Sequence, residues 1–243
     1  MSQKRILLLL PAFNEEEALR RLIPEIPDDF DVLVVDSFST DNTVKVAEES
    51  GLLCIPAEYG RGQGSSIRTG MRFFLERGYE YLVIADCDYT DDLKDLPRLL
   101  AYLADGGYDF VAGVRDLNKQ REYLGLTTII IKKVVSTLAW LLMGLRIRDV
   151  LTGVLAFNRR SVELMHPNLK GNGFEYGFEI FFNAWKMNLK IGEVDVNFRR
   201  RVGCTKFTLW KRICQVYYGV KYGMKVILHK VSSKGLSHAK TQD

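Results

Sequence analysis

Short apolar segments alternate with segments of helical pattern along the first half of the chain, and this alternation restricts the fold more than any other feature. The apolar segments are almost continuous runs of Leu, Ile and Val, which is typical of strands buried on both faces of a parallel sheet. We predict strands at 5–13, 31–36, 52–57, 81–86 and 109–115, and helices at 41–50, 65–77 and about 93–105. The sequence therefore predicts an α/β fold with a mostly parallel sheet flanked by helices.

Acidic residues crowd together where the fourth predicted strand ends, in "VIADCDYTDD" (83–92). Carboxylates as close as Asp86 and Asp88 repel each other unless a cation lies between them. Oxygen ligands without an accompanying His or Cys set favour Mg²⁺ or Mn²⁺ over Zn²⁺. We predict Asp86 and Asp88 as metal ligands, with a solvated acidic turn as the alternative. We expect Asp91 and Asp92 to cap the next helix.

Polar residues also follow the other predicted strands, and ligands of parallel sheets bind beyond the carboxyl ends of the strands. These residues are Asn14, Glu15, Asp36, Tyr59–Arg61 and Arg115. Asn14 followed by Glu17 is a helix-capping signal. Gly60, Gly62 and Gly64 precede a helix and indicate either an anion-binding turn or a plain flexible one. The Asp36 carboxylate is placed to accept a hydrogen bond from a ribose or a base.

The charge of the 243-residue chain is unevenly distributed, because residues 199–243 hold 11 Lys and Arg but a single acid, Asp243. This basic end indicates an anionic partner, either nucleic acid or a membrane surface. The four cysteines show no paired spacing, and the first apolar run is short for a signal peptide. We therefore expect a reduced, cytoplasmic protein.

Two later segments combine apolar residues with lysines. Residues 124–145 are interrupted by Lys132–Lys133, which argues against a membrane span and favours a helix lying at a membrane interface. Residues 207–228 carry an apolar stripe with Trp and Tyr, and their lysines lie off it. Packing on the sheet is the alternative for 207–228. Nucleic-acid binding explains neither the stripe nor the acids, so we expect a membrane surface and no nucleic acid as partner.

Seven motifs occur in an order that resembles family 2 glycosyltransferases, and more narrowly dolichyl-phosphate mannose synthases and related polyprenyl-phosphate glycosyltransferases. They are "PAFNEE", "VVDSFSTDNT", "GRGQGSSIRTG", "ADCDYTD", "GVR", "DVLTGVLAFNR" and "RRRVGCTKF", within roughly residues 4–210. The resemblance implies a GT-A, Rossmann-like catalytic domain at 1–206 with an interfacial helical insertion at 124–145. A C-terminal amphipathic helix at 207–230 and a disordered basic tail at 231–243 would follow.

The resemblance also implies which residues bind the donor nucleotide-sugar. Asp86 and Asp88 match the family's metal-binding D-x-D motif. Residues that match nucleotide-binding positions are Pro11, Asn14, Glu15, Asp36, Arg61 and Arg68. Ser37 stands where the family often has a second Asp. Arg201 and Lys206 match basic residues that stabilise the departing diphosphate.

On the acceptor side, Arg115 matches the arginine that meets the lipid phosphate, although "GVR" replaces the family's "GSR". Lys132, ahead of Ser136, stands where the family has a further phosphate-binding arginine. A lysine still neutralises phosphate but lacks the paired hydrogen bonds of a guanidinium.

We therefore expect a metal-dependent, inverting transfer of a hexose from GDP-mannose or UDP-glucose to dolichyl or polyprenyl phosphate, by an enzyme attached peripherally to the cytoplasmic face of a membrane. The expected catalytic residues are Asp88, Arg115, Lys132 and Arg201. A phosphate acceptor is already ionised and needs no general base. Asp149 and Glu179 would then be structural or would orient basic groups.

Three alternatives remain at this point. A family relative that glycosylates a saccharide hydroxyl would need a base, and Asp149 and Glu179 are the candidates. The D-x-D-x-T pattern of Asp86, Asp88 and Thr90 also occurs in haloacid-dehalogenase-type phosphatases, where the first Asp is the nucleophile. The third alternative is a non-enzymatic adaptor for nucleic acid or membranes.

Overall fold

A computed structural model describes residues 5–115, 126–203 and 209–239. Its seven strands form one sheet in the order β3-β2-β1-β4-β6-β5-β7. The strands are β1 Ile6–Ala12, β2 Phe30–Asp36, β3 Leu53–Pro56, β4 Tyr81–Ile84, β5 Phe110–Arg115, β6 Leu155–Asn158 and β7 Ile191–Val196. Neighbours pair in parallel except at β6, which is antiparallel to both β4 and β5.

Helices cover both faces of this sheet. They are α1 Glu16–Leu22, α2 Thr43–Glu49, α3 Gln63–Arg77, α4 Leu96–Asp105, α5 Leu126–Met143, α6 Arg159–Met165, α7 Tyr176–Lys186 and α8 Leu209–Ala239. Short 3₁₀ turns lie at Ile23–Glu25, Leu93–Asp95 and His166–Asn168. The predicted mostly parallel sheet flanked by helices is confirmed.

The apolar run of β1 is continuous because both of its faces are buried. Leu7 and Leu9 pack into one hydrophobic core, and Leu8 and Leu10 pack into the core on the opposite face. Side chains alternate between the faces of a strand, so a strand covered on both sides needs apolar residues at every position. The same rule produced the five predicted strands. The structure places four of them within one residue of the predicted bounds, whereas β4 ends at Ile84, two residues before its predicted end.

Strands β6 and β7 were not predicted from the sequence. β6 enters between β4 and β5, where Leu82 is opposite Phe157 and Ala112 is opposite Leu155. Because β6 is antiparallel to both neighbours, β4 and β5 end at the same edge of the sheet. The segment leading into β6 therefore lies between the residues that follow β4 and those that end β5.

The predicted capping role of Asn14 is wrong. Helix α1 begins at Glu16 without a side-chain cap, and Asn14 has a left-handed backbone with φ of 51°. Its side-chain oxygen instead accepts a hydrogen bond from the Thr40 N–H at 2.7 Å. Asn14 thus joins the loop after β1 to the loop after β2, which its left-handed turn makes possible.

Helices α5 and α8 pack against each other at glycines of α8. A Cβ atom at Gly219 would lie 3.7 Å from Val135, and one at Gly223 would lie 2.9 Å from Leu142. Helix α8 includes residues 231–239, where a disordered tail was expected, and its apolar stripe continues from Ile227 to Val231. Within the three described ranges, no helix has both the length and the apolarity needed to cross a membrane.

Candidate active site

Three elements hold Asp86, which follows β4. Its backbone N–H donates to Asp91 Oδ2 at 3.1 Å, and its Oδ1 accepts from the Gln63 side chain at 2.7 Å. Its carboxylate also lies against the backbone of Gly153, where an added Cβ would be 2.1 Å from Oδ2. The chain therefore needs a glycine at 153 to let the segment before β6 approach Asp86.

Asp88 is joined to Arg201, as expected for two residues of one site. The Arg201 guanidinium bridges the carboxylates of Asp88 and Glu15, so it connects the loop after β4 to the loop after β1. Asp88 Oδ1 also accepts from the Thr90 N–H at 3.0 Å. The backbone of Val202 donates to the Asp88 carbonyl at 3.1 Å, which fixes the segment that carries Arg201.

Asp91 does not cap a helix, and that prediction is wrong for this residue. It is 1% exposed, and its Oδ2 accepts a hydrogen bond from the Asp86 backbone N–H. Its Oδ1 has no hydrogen-bond partner among the described residues. Asp92 does the capping instead, because its side chain accepts from the Lys94 N–H at 3.1 Å at the start of the 3₁₀ turn.

Two carboxylates after β4, Asp86 and Asp91, are protonated more readily than ordinary aspartates. Burial, followed by repulsion from Asp88, raises the pKa of Asp86 to about 6. Burial and the neighbouring Asp86 raise the pKa of Asp91 to about 8. Arg115 acts in the opposite direction on both groups. The described cations therefore compensate this negative charge only in part.

Asp86 and Asp88 fit a hard divalent cation by their chemistry. Both present carboxylate oxygens, and Oδ1 of the buried Asp91 nearby has no hydrogen-bond partner among the described residues. Within the described ranges, no group of three or more His, Cys, Asp or Glu residues is arranged to enclose a metal ion. A magnesium or manganese ion held by this pair would take its remaining ligands from water and substrate oxygens.

The predicted acceptor residues Arg115 and Lys132 meet at one buried carboxylate. Arg115 Nε lies 2.8 Å and Lys132 Nζ lies 3.3 Å from Asp149 Oδ2, and all three residues are at least nine-tenths buried. Burial opposes ionisation of Asp149, but Arg115 and Lys132 outweigh it and lower its pKa to about 2. Burial, together with Arg115, lowers the pKa of Lys132 to about 8.

Asp149 and Glu179 both hold other groups of the protein, and their expected structural role stays a prediction. Asp149 orients the two cations, whereas Glu179 accepts from the N–H groups of Lys170 and Gly171 at 2.9 and 2.8 Å. Ser136 also supports the site rather than facing it directly. Its hydroxyl bonds to the Arg148 carbonyl at 3.2 Å and accepts from the Val150 N–H at 3.3 Å, on either side of Asp149.

The glycine-rich segment before α3 serves close packing. A Cβ at Gly62 would lie 2.1 Å from the Asn172 carbonyl oxygen, which also accepts from the Ser65 N–H at 3.1 Å. Arg68 donates to Asn172 Oδ1 at 2.8 Å, and exposed Arg61 lies 5.9 Å from the Phe38 ring. These contacts join both arginines to other loops, and their role in nucleotide binding stays a prediction.

The loops after β1 and β2 lie where the sequence predicts the nucleoside to bind. A cavity of about 380 Å³ opens there. Its lining includes Asn14, Glu15, Asp41, Val202 and Gly203. Asp36 is 7% exposed, with Oδ2 bonded to the Ser39 N–H at 3.0 Å and Oδ1 lacking a partner among the described residues. Pro11 lies in β1 opposite Val35, and Lys206 lies outside the described residues.

Residues 8–163 match the model of the family described as glycosyl transferase family 2. The UDP-N-acetylglucosamine–dolichyl-phosphate N-acetylglucosaminyltransferase of Methanococcus voltae is 26% identical over 81% of this chain and 86% of that protein. The undecaprenyl-phosphate mannosyltransferase of Micrococcus luteus is 30% identical over 84% of this chain and 88% of that protein.

A solved structure shares the fold. Glucosyl-3-phosphoglycerate synthase from Mycobacterium tuberculosis, in complex with Mn²⁺, UDP-glucose and glycerol 3-phosphate, superposes with a TM-score of 0.72 at 20% identity. The match covers 93% of this chain and 80% of that one. The expected GT-A fold is confirmed.

The raised pKa values predict how stability depends on pH without divalent ions. Folded Asp91 keeps a proton up to about pH 8, whereas an unfolded aspartate releases it near 3.8. The free energy of unfolding should therefore fall as pH rises between these values, by up to about 1.4 kcal/mol per pH unit for this group. Denaturant unfolding in EDTA at pH 5, 6 and 7 should show this fall, and Asp91→Asn should remove much of it.

Asp92→Asn is the matched control for this measurement. Partial burial raises the pKa of Asp92, but Arg199 outweighs it and the pKa is lowered, so its contribution to the pH dependence lies below pH 4. Equal slopes for wild type and Asp91→Asn would contradict the electrostatic description of the loop after β4.

Proposed function

Because the chain belongs to glycosyl transferase family 2, we propose that this glycosyltransferase moves a hexose from a nucleotide-sugar to a polyprenyl phosphate of the dolichyl type, using Mg²⁺ or Mn²⁺. One observation carries the proposal. Buried Arg115 and Lys132 share the carboxylate of Asp149, and Arg115 also acts electrostatically on Asp86, so two cationic side chains lie next to the acidic loop of Asp86 and Asp88. The names of the two relatives support a polyprenyl phosphate as acceptor.

On the donor side, a divalent ion held by Asp86 and Asp88 would neutralise charge on the diphosphate of the nucleotide-sugar. The unpartnered Oδ1 of Asp36 is an acceptor for a ribose hydroxyl or a base N–H. Asn14 and Glu15 line the neighbouring cavity, and Pro11 lies near the end of β1, just before them. Arg201 stabilises the negative charge of the leaving diphosphate because Asp88 and Glu15 already hold its guanidinium beside the acidic loop.

On the acceptor side, Arg115 and Lys132 hold the phosphate. Both side chains are cationic, and a phosphate monoester supplies about −1.5 to −2 of negative charge for them to balance. A phosphate oxygen then attacks the anomeric carbon as the bond from that carbon to the diphosphate oxygen breaks. The nucleoside diphosphate leaves with the bonding electrons, and direct displacement inverts the configuration. Positioning and charge compensation are the main contributions of the protein.

The state of Asp149 and Glu179 favours a phosphate acceptor over a saccharide hydroxyl. A hydroxyl acceptor needs a general base with a pKa near the working pH. Asp149 lies between two cations and has a pKa of about 2, and Glu179 is bound to two backbone N–H groups and the Tyr222 hydroxyl. Family membership removes the phosphatase and adaptor alternatives.

The exposed faces of α5 and α8 suit a membrane surface. Apolar residues exposed by about half or more include Ile130, Val134 and Leu141 of α5, and Tyr217, Val220, Met224, Leu228 and Val231 of α8. Lys132 extends from the opposite side of α5 to Asp149, so the phosphate site lies directly behind an apolar helix face. We infer peripheral attachment at the cytoplasmic face, with lysines of α8 attracted to anionic lipid.

The reaction is tested by incubating the protein with polyprenyl phosphate, Mg²⁺ and labelled GDP-mannose, UDP-glucose or UDP-N-acetylglucosamine in parallel. We expect label from one donor to enter the organic phase. Asp88→Ala should reduce the rate by at least about 100-fold, because it removes a metal ligand and the partner of Arg201. Asp195→Ala, at a carboxylate whose side chain is 75% exposed in β7, is the control.

Two results would contradict this reaction. Label entering only water-soluble saccharide would support the hydroxyl-accepting alternative, and an undiminished rate in Asp88→Ala would remove the metal site from the mechanism.

Membrane attachment is tested by flotation with vesicles in which about one third of the lipid is anionic. The double substitution Val220→Glu and Met224→Glu places charge on the exposed face of α8, and we expect it to reduce the floating fraction several-fold. Leu164→Glu introduces one glutamate at an exposed leucine of α6 and should float like wild type. Equal flotation of all three proteins would show that α8 does not contact lipid.

A further inference from the structure

Helix α8 is connected to the body of the enzyme through a buried tyrosine. Tyr222 is 4% exposed, and its hydroxyl donates to Glu179 Oε1 at 2.8 Å. Its ring stacks on Phe178 with centroids 6.2 Å apart. Tyr217 of the same helix is 59% exposed. Of these two tyrosines, Tyr222 therefore makes the polar contact with α7.

The second oxygen of Glu179 holds the segment before α7. Glu179 Oε2 accepts from the backbone N–H groups of Lys170 and Gly171 at 2.9 and 2.8 Å. One buried carboxylate thus receives a donor from α8 and two donors from residues 170–171. Removing any of these donors leaves a lone pair of a buried carboxylate unsatisfied, so the position of the segment depends on the contact with α8.

The next residue, Asn172, fixes the start of α3. Its carbonyl accepts from the Ser65 N–H at 3.1 Å, and its side-chain amide donates to the Tyr59 carbonyl at 2.6 Å. Its Oδ1 accepts from Arg68 at 2.8 Å. Gly62 and Gly64 allow the two backbones to touch, since a Cβ at Gly64 would lie 2.4 Å from the Gly171 carbonyl oxygen. Backbones packed this closely move together.

Gln63 lies between these two glycines and reaches the acidic loop of Asp86 and Asp88. Its amide donates to Asp86 Oδ1 at 2.7 Å, while the Gly62 N–H donates to the Ser37 hydroxyl at 2.8 Å. A continuous series of hydrogen bonds and backbone contacts therefore runs from Tyr222 through Glu179 and Asn172 to Gln63 and Asp86.

We propose that Tyr222, Glu179 and Gln63 are positioning residues of the donor site, so that the seating of α8 on α7 sets the affinity for the nucleotide-sugar. The inference rests on the proposed function, because it takes Asp86 as part of the donor site. It gives α8 a second role: its exposed face contacts lipid, and its buried face aligns Asp86 for the donor. Neither Tyr222 nor Glu179 touches the substrate.

The experiment compares Tyr222→Phe with Tyr217→Phe in the full chain, since both remove one hydroxyl from the same helix. Calorimetry with UDP-glucose, GDP-mannose and UDP-N-acetylglucosamine, each with Mn²⁺, identifies the donor that wild type binds. For that donor, we expect Tyr222→Phe to raise Kd and KM about 3- to 10-fold and to leave kcat within about twofold. Tyr217→Phe should match wild type.

A double-mutant cycle separates positioning from general loss of stability. Gln63→Leu keeps the approximate size of the side chain and removes the amide that meets Asp86. If Tyr222 acts through Gln63, the double variant should bind the donor no more weakly than Gln63→Leu alone. If the two substitutions instead raise the donor Kd by factors that multiply in the double variant, the proposal is overturned. A Tyr222→Phe variant with a lower Tm and an unchanged donor Kd would also overturn it.

The outcomes also distinguish this inference from the proposed function. Absence of donor binding in wild type would overturn both. Wild-type binding together with an unaffected Tyr222→Phe variant would overturn only the positioning role.

Discussion

The negative charge that collects after β4 is the constraint on which the rest of the site depends. Asp86, Asp88 and Asp91 lie within six residues, and their repulsion is offset by cations from distant parts of the chain. Arg201 pairs with Asp88, and Arg115 partly opposes the rise in the pKa values of Asp86 and Asp91. Backbone hydrogen bonds also fasten the segment after β7 across the site, because the N–H groups of Arg199 and Val202 donate hydrogen bonds to the carbonyls of Thr90 and Asp88. In the proposed mechanism, a divalent ion bound together with the donor diphosphate would add to this balance of charge.

The antiparallel insertion of β6 explains why the donor and acceptor groups are neighbours. The segment that leads into β6 carries Asp149, which holds Arg115 and Lys132, and a few residues later Gly153, which lies against Asp86. One short segment thus contacts both the cationic and the acidic part of the site. In the proposed reaction, an acceptor phosphate at Arg115 would therefore lie beside a donor held at Asp86, as direct displacement requires.

The sequence predicted those features that depend on local pattern. Continuous apolar runs predicted β1 to β5. Because the carboxyl ends of parallel strands lie at one edge of the sheet, the polar residues at or after these ends were predicted to lie together; they include Asp86, Asp88, Glu15 and Arg115. Features set by distant contacts were missed. Nothing local shows that β6 inserts between β4 and β5, that Asn172 occupies the glycine-rich turn, or that Asp91 is buried against Asp86 instead of capping a helix. The capping signal at Asn14 failed for the same reason, since Thr40 of another loop competes for its side chain.

The most direct test of the account is a titration with Mn²⁺ followed by electron paramagnetic resonance, in which bound Mn²⁺ loses the signal of the free ion. With the accepted nucleotide-sugar present, wild type should take up about one Mn²⁺ beyond what the nucleotide alone binds, and Asp86→Asn and Asp88→Asn should each lose this uptake. Equal uptake by wild type and both variants, or none by any of them, would contradict the claim that these strand-end aspartates hold the ion that binds the donor.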